Sequence, residues 1–136
     1  MATLKISDLS VGDWVQDKNG IYAKVLGMEN WSNGYFLNIE LHGVNVGVTP
    51  LASVHPIPIT AEILEKNGFE STTKPNVFTL THGELQLYVS KELDGWYMSF
   101  VNFMERLCIL QEIRKSYIHE LQHALRFAGV EKEINL

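Results

Sequence analysis

Six residues, Val54-His55-Pro56-Ile57-Pro58-Ile59, constrain this chain more than any other stretch. Each proline holds φ in the extended region and removes a backbone donor, so neither a helix nor a central strand can run through the pair. The stretch acts as a connector. It separates a lobe over residues 1–59 from a lobe over residues 60–136, expected to pack together as one unit.

The first lobe reads as β. Leu9, Val11, Trp14 and Val15 line up around a bend at Gly12. Ile21, Ala23 and Val25 alternate. So do Tyr35, Leu37, Ile39 and Leu41, with Phe36, Asn38, Glu40 and His42 on the other face. The alternation continues through 44–57. Turn signals at Asp17-Lys18-Asn19-Gly20, at 30–34 and at Gly43 separate these runs. Short runs of period two between Gly/Asn turns predict a small antiparallel barrel or rolled sheet, SH3-like in pattern.

The second lobe mixes types. Thr60 caps a short helix with Glu62 in its first turn and Gly68 at its left-handed end, the order that helix termini favour. Residues 77–102 alternate again around turns at Thr81–Glu84 and Leu93–Trp96, a three-strand meander. Leu107-Cys108-Ile109-Leu110 either adds a strand or leads into a helix. From Gln111 to Ala128 the period becomes helical, with Ile113, Tyr117, Leu121, Ala124, Leu125 and Ala128 on one stripe and Gly129 as the stop. The expected class is α+β: a small SH3-like β-barrel lobe, then a helix, an antiparallel β meander and a C-terminal amphipathic helix.

Composition narrows the function classes. With 46% hydrophobic residues the chain is globular rather than disordered. Net charge is −5, and Lys and Arg are scattered singly, which counts against nucleic acid, whose phosphates call for clustered cations. No run approaches the ~20 apolar residues of a membrane span, and no signal-peptide core precedes the first strand. Cys108 is the single cysteine, so no internal disulfide can form, and within Leu107–Leu110 it reads as a small buried hydrophobe. A reducing, cytoplasmic setting fits these features.

One string invites an enzymatic reading. His119-Glu120-Leu121-Gln122-His123 is H-E-x-x-H on a predicted helix. In a zinc hydrolase the two histidines, four apart, would share a metal, and Glu120 would polarise the bound water. A catalytic zinc needs a third protein ligand. The metzincin extension would place Gly at 126 and His at 129, where this chain has Arg126 and Gly129. The chain given runs thirteen residues past His123, short of a gluzincin glutamate. Glu131 lies eight residues on, roughly 12 Å along a continuous helix. Cys108, upstream, would imitate peptide deformylases, but that family's Gly-rich and Glu-Gly-Cys motifs are missing. On the helix stripe above, His119 and His123 each fall about 160° from Leu121, which points both to solvent with Glu112, Ser116 and Arg126. The expectation is therefore no catalytic residue, no metal ligand and no cofactor; Glu120, His119 and His123 are the alternative.

Other constellations are weaker. Asp8, Asp13, Asp17 and Glu29 sit near turns without metal-loop spacing and read as solvated carboxylates. Trp31 lies between Asn30 and Ser32 in a turn, where a large aromatic has little core to enter. Trp31, Tyr35 and Phe36 are the expected interaction residues. A second alternative uses the aromatics of this lobe to bind single-stranded nucleic acid.

Leu9-Ser-Val-Gly-Asp-Trp-Val15, the stretch Val54–Glu70 and the stretch Tyr117–Leu136 together resemble a group of small uncharacterised proteins of bacterial prophages and mobile elements. Members share a short barrel segment, an I-P-L-T-x-E-x-L-x-x-x-G-F linker-helix, a meander and a closing V-H-x-L-Q helix. The resemblance brings no established activity with it. It implies that the closing motif often reads His-Gln-Leu-Gln-Asn, which keeps His119, Leu121 and Gln122 and lacks Glu120 and His123. Taken together, the sequence predicts a non-catalytic accessory or protein-interaction protein whose partner is another protein or a further copy of itself, not nucleic acid or membrane.

Overall fold

The computed structural model describes residues 4–102, 107–114 and 116–136, with 101, 102 and 107–114 described as backbone. It is α+β, with antiparallel strands in two open sheets. By internal contact the chain forms two compact units. One holds residues up to Pro58 together with Tyr117–Gln122, and the other holds Ile59–Ser116 together with His123–Leu136.

In the first unit β1 (Trp14–Gln16), β2 (Tyr22–Trp31), β3 (Gly34–Leu41) and β4 (Val44–Pro50) form a meander in that spatial order. The β3–β4 turn explains its own sequence. Leu41 pairs with Val44, and the two residues between them, His42 and Gly43, both have positive φ (50° and 80°). That is the type I′ geometry whose twist matches the flanking strands. One face of the sheet carries Val15, Ala23, Val25, Leu37 and Ile39. Leu4, Leu9 and Val54 complete this core, with Ile6, Leu41 and Leu51 at its border. A bulge between Val25 and Gly27 reverses the alternation of β2. Gly27, Glu29 and Trp31, which plain alternation from Val25 would turn inward, consequently take the face opposite the core. The sheet is an open meander, with no ladder joining β1 to β4.

The connector behaves as its prolines require. Rather than joining either sheet as a strand, it makes single contacts. His55 exchanges both backbone hydrogen bonds with Gln16, at 2.9 and 2.8 Å. The N–H of Ile118 donates to the Ile57 carbonyl at 2.8 Å.

In the second unit α1 (Ala61–Lys66) is capped by Thr60, whose hydroxyl accepts from the Ile63 N–H at 3.2 Å. β5 (Glu70–Ser71), β6 (Val77–His82), β7 (Leu85–Glu92), β8 (Gly95–Asn102) and β9 (Leu107–Arg114) form a second meander. Phe78, Leu87, Val89, Trp96 and Met98 are buried, and the rings of Phe78 and Trp96 lie 6.0 Å apart. Thr79, Tyr88 and Ser99 share the other face in register. Asn67, 4% exposed, ties α1 to the C-terminal segment. Its amide nitrogen donates to the carbonyls of Ile63 and Asn135, and its oxygen accepts from the Asn135 N–H at 2.7 Å.

The closing helix is shorter than its apolar period predicts. α2 runs from Ile118 to Phe127, and the residues read as its first turns, 111–114, belong to β9. Alternation and helical period coincide over so short an apolar run, and pairing with β8 decides in favour of strand. Ile113, placed on the helical stripe, lies in this strand, its side chain outside the described residues. Cys108 is likewise a β9 residue whose side chain lies outside the description. Among the described residues no helix is long and apolar enough to cross a membrane.

Asn67→Ala removes three hydrogen bonds from a buried position, and we expect it to lower unfolding free energy by about 3 kcal/mol. The urea midpoint should fall with an unchanged slope. A loss within the error of the fit would contradict the tie.

Candidate functional site

The H-E-x-x-H string occupies the first turn and a half of α2, and its residues are engaged in holding the helix in place. Ile118, Leu121 and Leu125 are buried, at 0%, 0% and 1% exposure. Starting the helix at Ile118 turns the buried stripe toward that residue, so His119 stands about 100° from Ile118 rather than opposite the core. The expectation that both histidines face solvent is corrected here. His119 is 4% exposed, with its ring stacked against Tyr117 at 6.0 Å and 12°. His123 is half-buried, Ser116 is half-buried and Arg126 is exposed. The first turn is covered because the connector runs against it, through the Ile57–Ile118 bond and the bridge of Pro58 with Tyr117.

Glu120 is the third residue of the helix. Its carboxylate accepts from the backbone N–H of Tyr117 at 3.2 Å, the backward half of a capping box. This uses the carboxylate to satisfy a donor at the helix N-terminus, where negative charge is also favoured by the dipole.

Gln122 reaches the start of the chain. Its amide nitrogen donates to the Gly12 carbonyl at 3.0 Å, and its oxygen accepts from the Trp14 N–H at 2.9 Å. The carboxamide thus serves the edge of β1 as a neighbouring strand would. Asp13, between those two contacts, is fully buried. Its carboxylate accepts from Ser10 N–H at 2.8 Å, and its carbonyl accepts from Val25 N–H. The reading of Asp13 as a solvated turn carboxylate is corrected accordingly. Asp17 and Asp8 do organise exposed turns. Asp17 accepts from the N–H groups of Asn19 and Ile21, and Asp8 from that of Lys5. Sequence reasoning singled out the string for its histidines and missed Gln122. No local pattern of residues marks that role, because both of its partners lie more than a hundred positions away.

Among the described residues no three His, Cys, Asp or Glu side chains gather where they could hold a metal ion.

The aromatic trio lies elsewhere, on the β2–β3 hairpin. Trp31 ends β2 opposite Gly34; Asn30 pairs with Tyr35, and Glu29 with Phe36. Trp31 and Phe36 therefore share the face away from the core, with centroids 4.5 Å apart. Tyr35 lies on the reverse face. Trp31 is 47% exposed and Tyr35 45%. Phe36 also pairs with Pro50, and Asn38 with Val48, so the outer row continues onto β4. From residue 30 to residue 61 Glu40 is the single Asp, Glu, Lys or Arg, in a chain that is 20% charged.

Compared with known proteins, the chain matches no family model, no curated protein and no solved structure.

Gln122→Ala strips partners from Trp14 N–H and Gly12 C=O and should cost about 1–3 kcal/mol in a urea titration. Glu120→Gln keeps a side-chain acceptor and should stay within about 0.5 kcal/mol. A larger loss for Glu120→Gln than for Gln122→Ala would reverse the roles. Mass spectrometry of tag-free protein dialysed against zinc should find the metal well below one equivalent, with His123→Ala no different.

Proposed function

We propose that this chain is a non-catalytic interaction protein, accessory to a phage or mobile element, that binds a protein partner through the β2–β3 hairpin. The observation that carries the reading is the hairpin itself. Trp31 and Phe36 form a ring pair on one face, with Glu29 opposite Phe36, Tyr35 stands on the other, and from residue 30 to residue 61 Glu40 is the single Asp, Glu, Lys or Arg. Large aromatics that remain half in water supply contact area at little entropic cost, and they are the residues that dominate binding energy at protein interfaces. Glu120, which an enzymatic reading would need as free chemistry, has a structural bond of its own to the Tyr117 N–H. The first sheet is read as SH3-like in strand pattern, with its β4 edge left open. The mobile-element association rests on the sequence resemblance.

A photo-crosslinking amino acid at position 31 or 35, introduced in the native host, should trap a discrete protein adduct. The same group at the fully exposed Leu93 should not. Equal labelling at all three positions, or no adduct at 31 and 35, would remove the hairpin as the binding surface.

A further inference from the structure

The two edges of the first sheet are treated differently. The β1 edge is covered: the Gln122 carboxamide bonds Gly12 and Trp14, and the His55 backbone bonds Gln16 on both sides. The β4 edge is not. Among the described residues no backbone bond reaches Val44–Pro50 from outside its pairing with β3. Its valines stand in water, with Val44 61%, Val46 50% and Val48 43% exposed. Natural sheets blunt such edges with lysine, inward charge or a covering loop. Strand β4 carries no charge; its blunting devices are Pro50, at its very end, and a bulge. Ile39 pairs with Gly47 while Glu40 pairs with Asn45, which leaves Val46 as the extra residue. Gly47, at φ 89°, then gives its N–H to the Asn45 side chain at 2.9 Å. A regular ladder cannot run the length of this edge, so side-chain burial must supply most of the contact energy.

We infer that the occupant of this edge is a second copy of the same chain, related by a two-fold axis near the middle of β4. This rests on the reading of the hairpin region as an interaction surface and names its partner. The reason is electrostatic. A two-fold interface brings the same patch of both copies together, so every charge on it meets its like. With a net charge of −5 two copies of the molecule carry a net mutual repulsion. Residues 41–61 contain no Asp, Glu, Lys or Arg, and that run includes the whole of β4. An oppositely charged partner would find nothing on β4 to complement, whereas a second copy meets no like charge on the strand itself and only Glu40, opposite Asn45, in the row beside it. The outer row of Phe36, Val48 and Pro50 adjoins the same edge and would be buried with it.

Sedimentation velocity from low micromolar to near-millimolar protein tests this. Wild type should dissociate reversibly from dimer to monomer across that range. Val48→Lys and Val48→Glu should each weaken self-association by at least about a hundredfold, because like charges would then face each other. Mixing the two variants should restore a dimer containing one of each. Leu93→Lys should leave association unchanged. Circular dichroism and thermal unfolding establish that each variant is folded; should a Val48 variant melt, Val44→Lys and Val44→Glu take its place. A wild type that is monomeric throughout, a dimer indifferent to both charges, or folded variants that do not pair on mixing would each overturn the inference. A monomeric wild type whose residue 31 still crosslinks to a different protein leaves the proposed function standing. The absence of any adduct at 31 and 35 defeats that reading on its own terms.

Discussion

The side chain of Gln122 is the contact on which the reading of this chain depends. One carboxamide gives a hydrogen to Gly12 and takes one from Trp14, more than a hundred residues away in sequence. It brings the first turn of the closing helix to the first strand of the chain and covers that strand's edge. A buried edge without donors and acceptors of its own would leave backbone groups unsatisfied, at a cost comparable to the bonds themselves. The backward reach of Glu120 and the connector contact at Ile118 then fix where the helix begins, and with it the shelter given to His119. A string that looks like a metal motif is thus, in this fold, a helix start and a strand cover.

The same pattern of cover explains why apolar surface remains exposed at the other edge of the sheet. β1 has three residues and is bonded along its outer side; β4 has seven and is bonded along one. The hairpin of β2 and β3 extends past the core residues, so that its last pairs place aromatics where the core cannot cover them. Exposed apolar groups of this size are uncommon unless something else covers them.

Much of the fold was legible in the residues. The prolines marked the connector, Thr60 marked a helix start, and period-two runs marked Ala23–Val25, Leu37–Ile39 and Leu87–Val89 as core. The boundary between β9 and α2 was not legible, because Ile109 and Ile113 fit either period over a few residues. The bulge in β2 carried only a weak signal, Gly27 within a strand run, a position where a glycine often marks a skipped pairing. Asp13 and His119 were misread as solvated because polar side chains usually are, and their burial depends on what the remainder of the chain lays over them.

The sequence by itself determined the α+β class, the runs of strand and helix, and the absence of charge between Glu40 and Glu62, since these are properties of local residue order. Only the tertiary structure decided that the H-E-x-x-H string faces a connector and a strand edge, that Gln122 is its working residue, and that β1 is covered while β4 is open. Those outcomes depend on which distant backbone groups come within hydrogen-bond reach. Local period and composition carry no information about that.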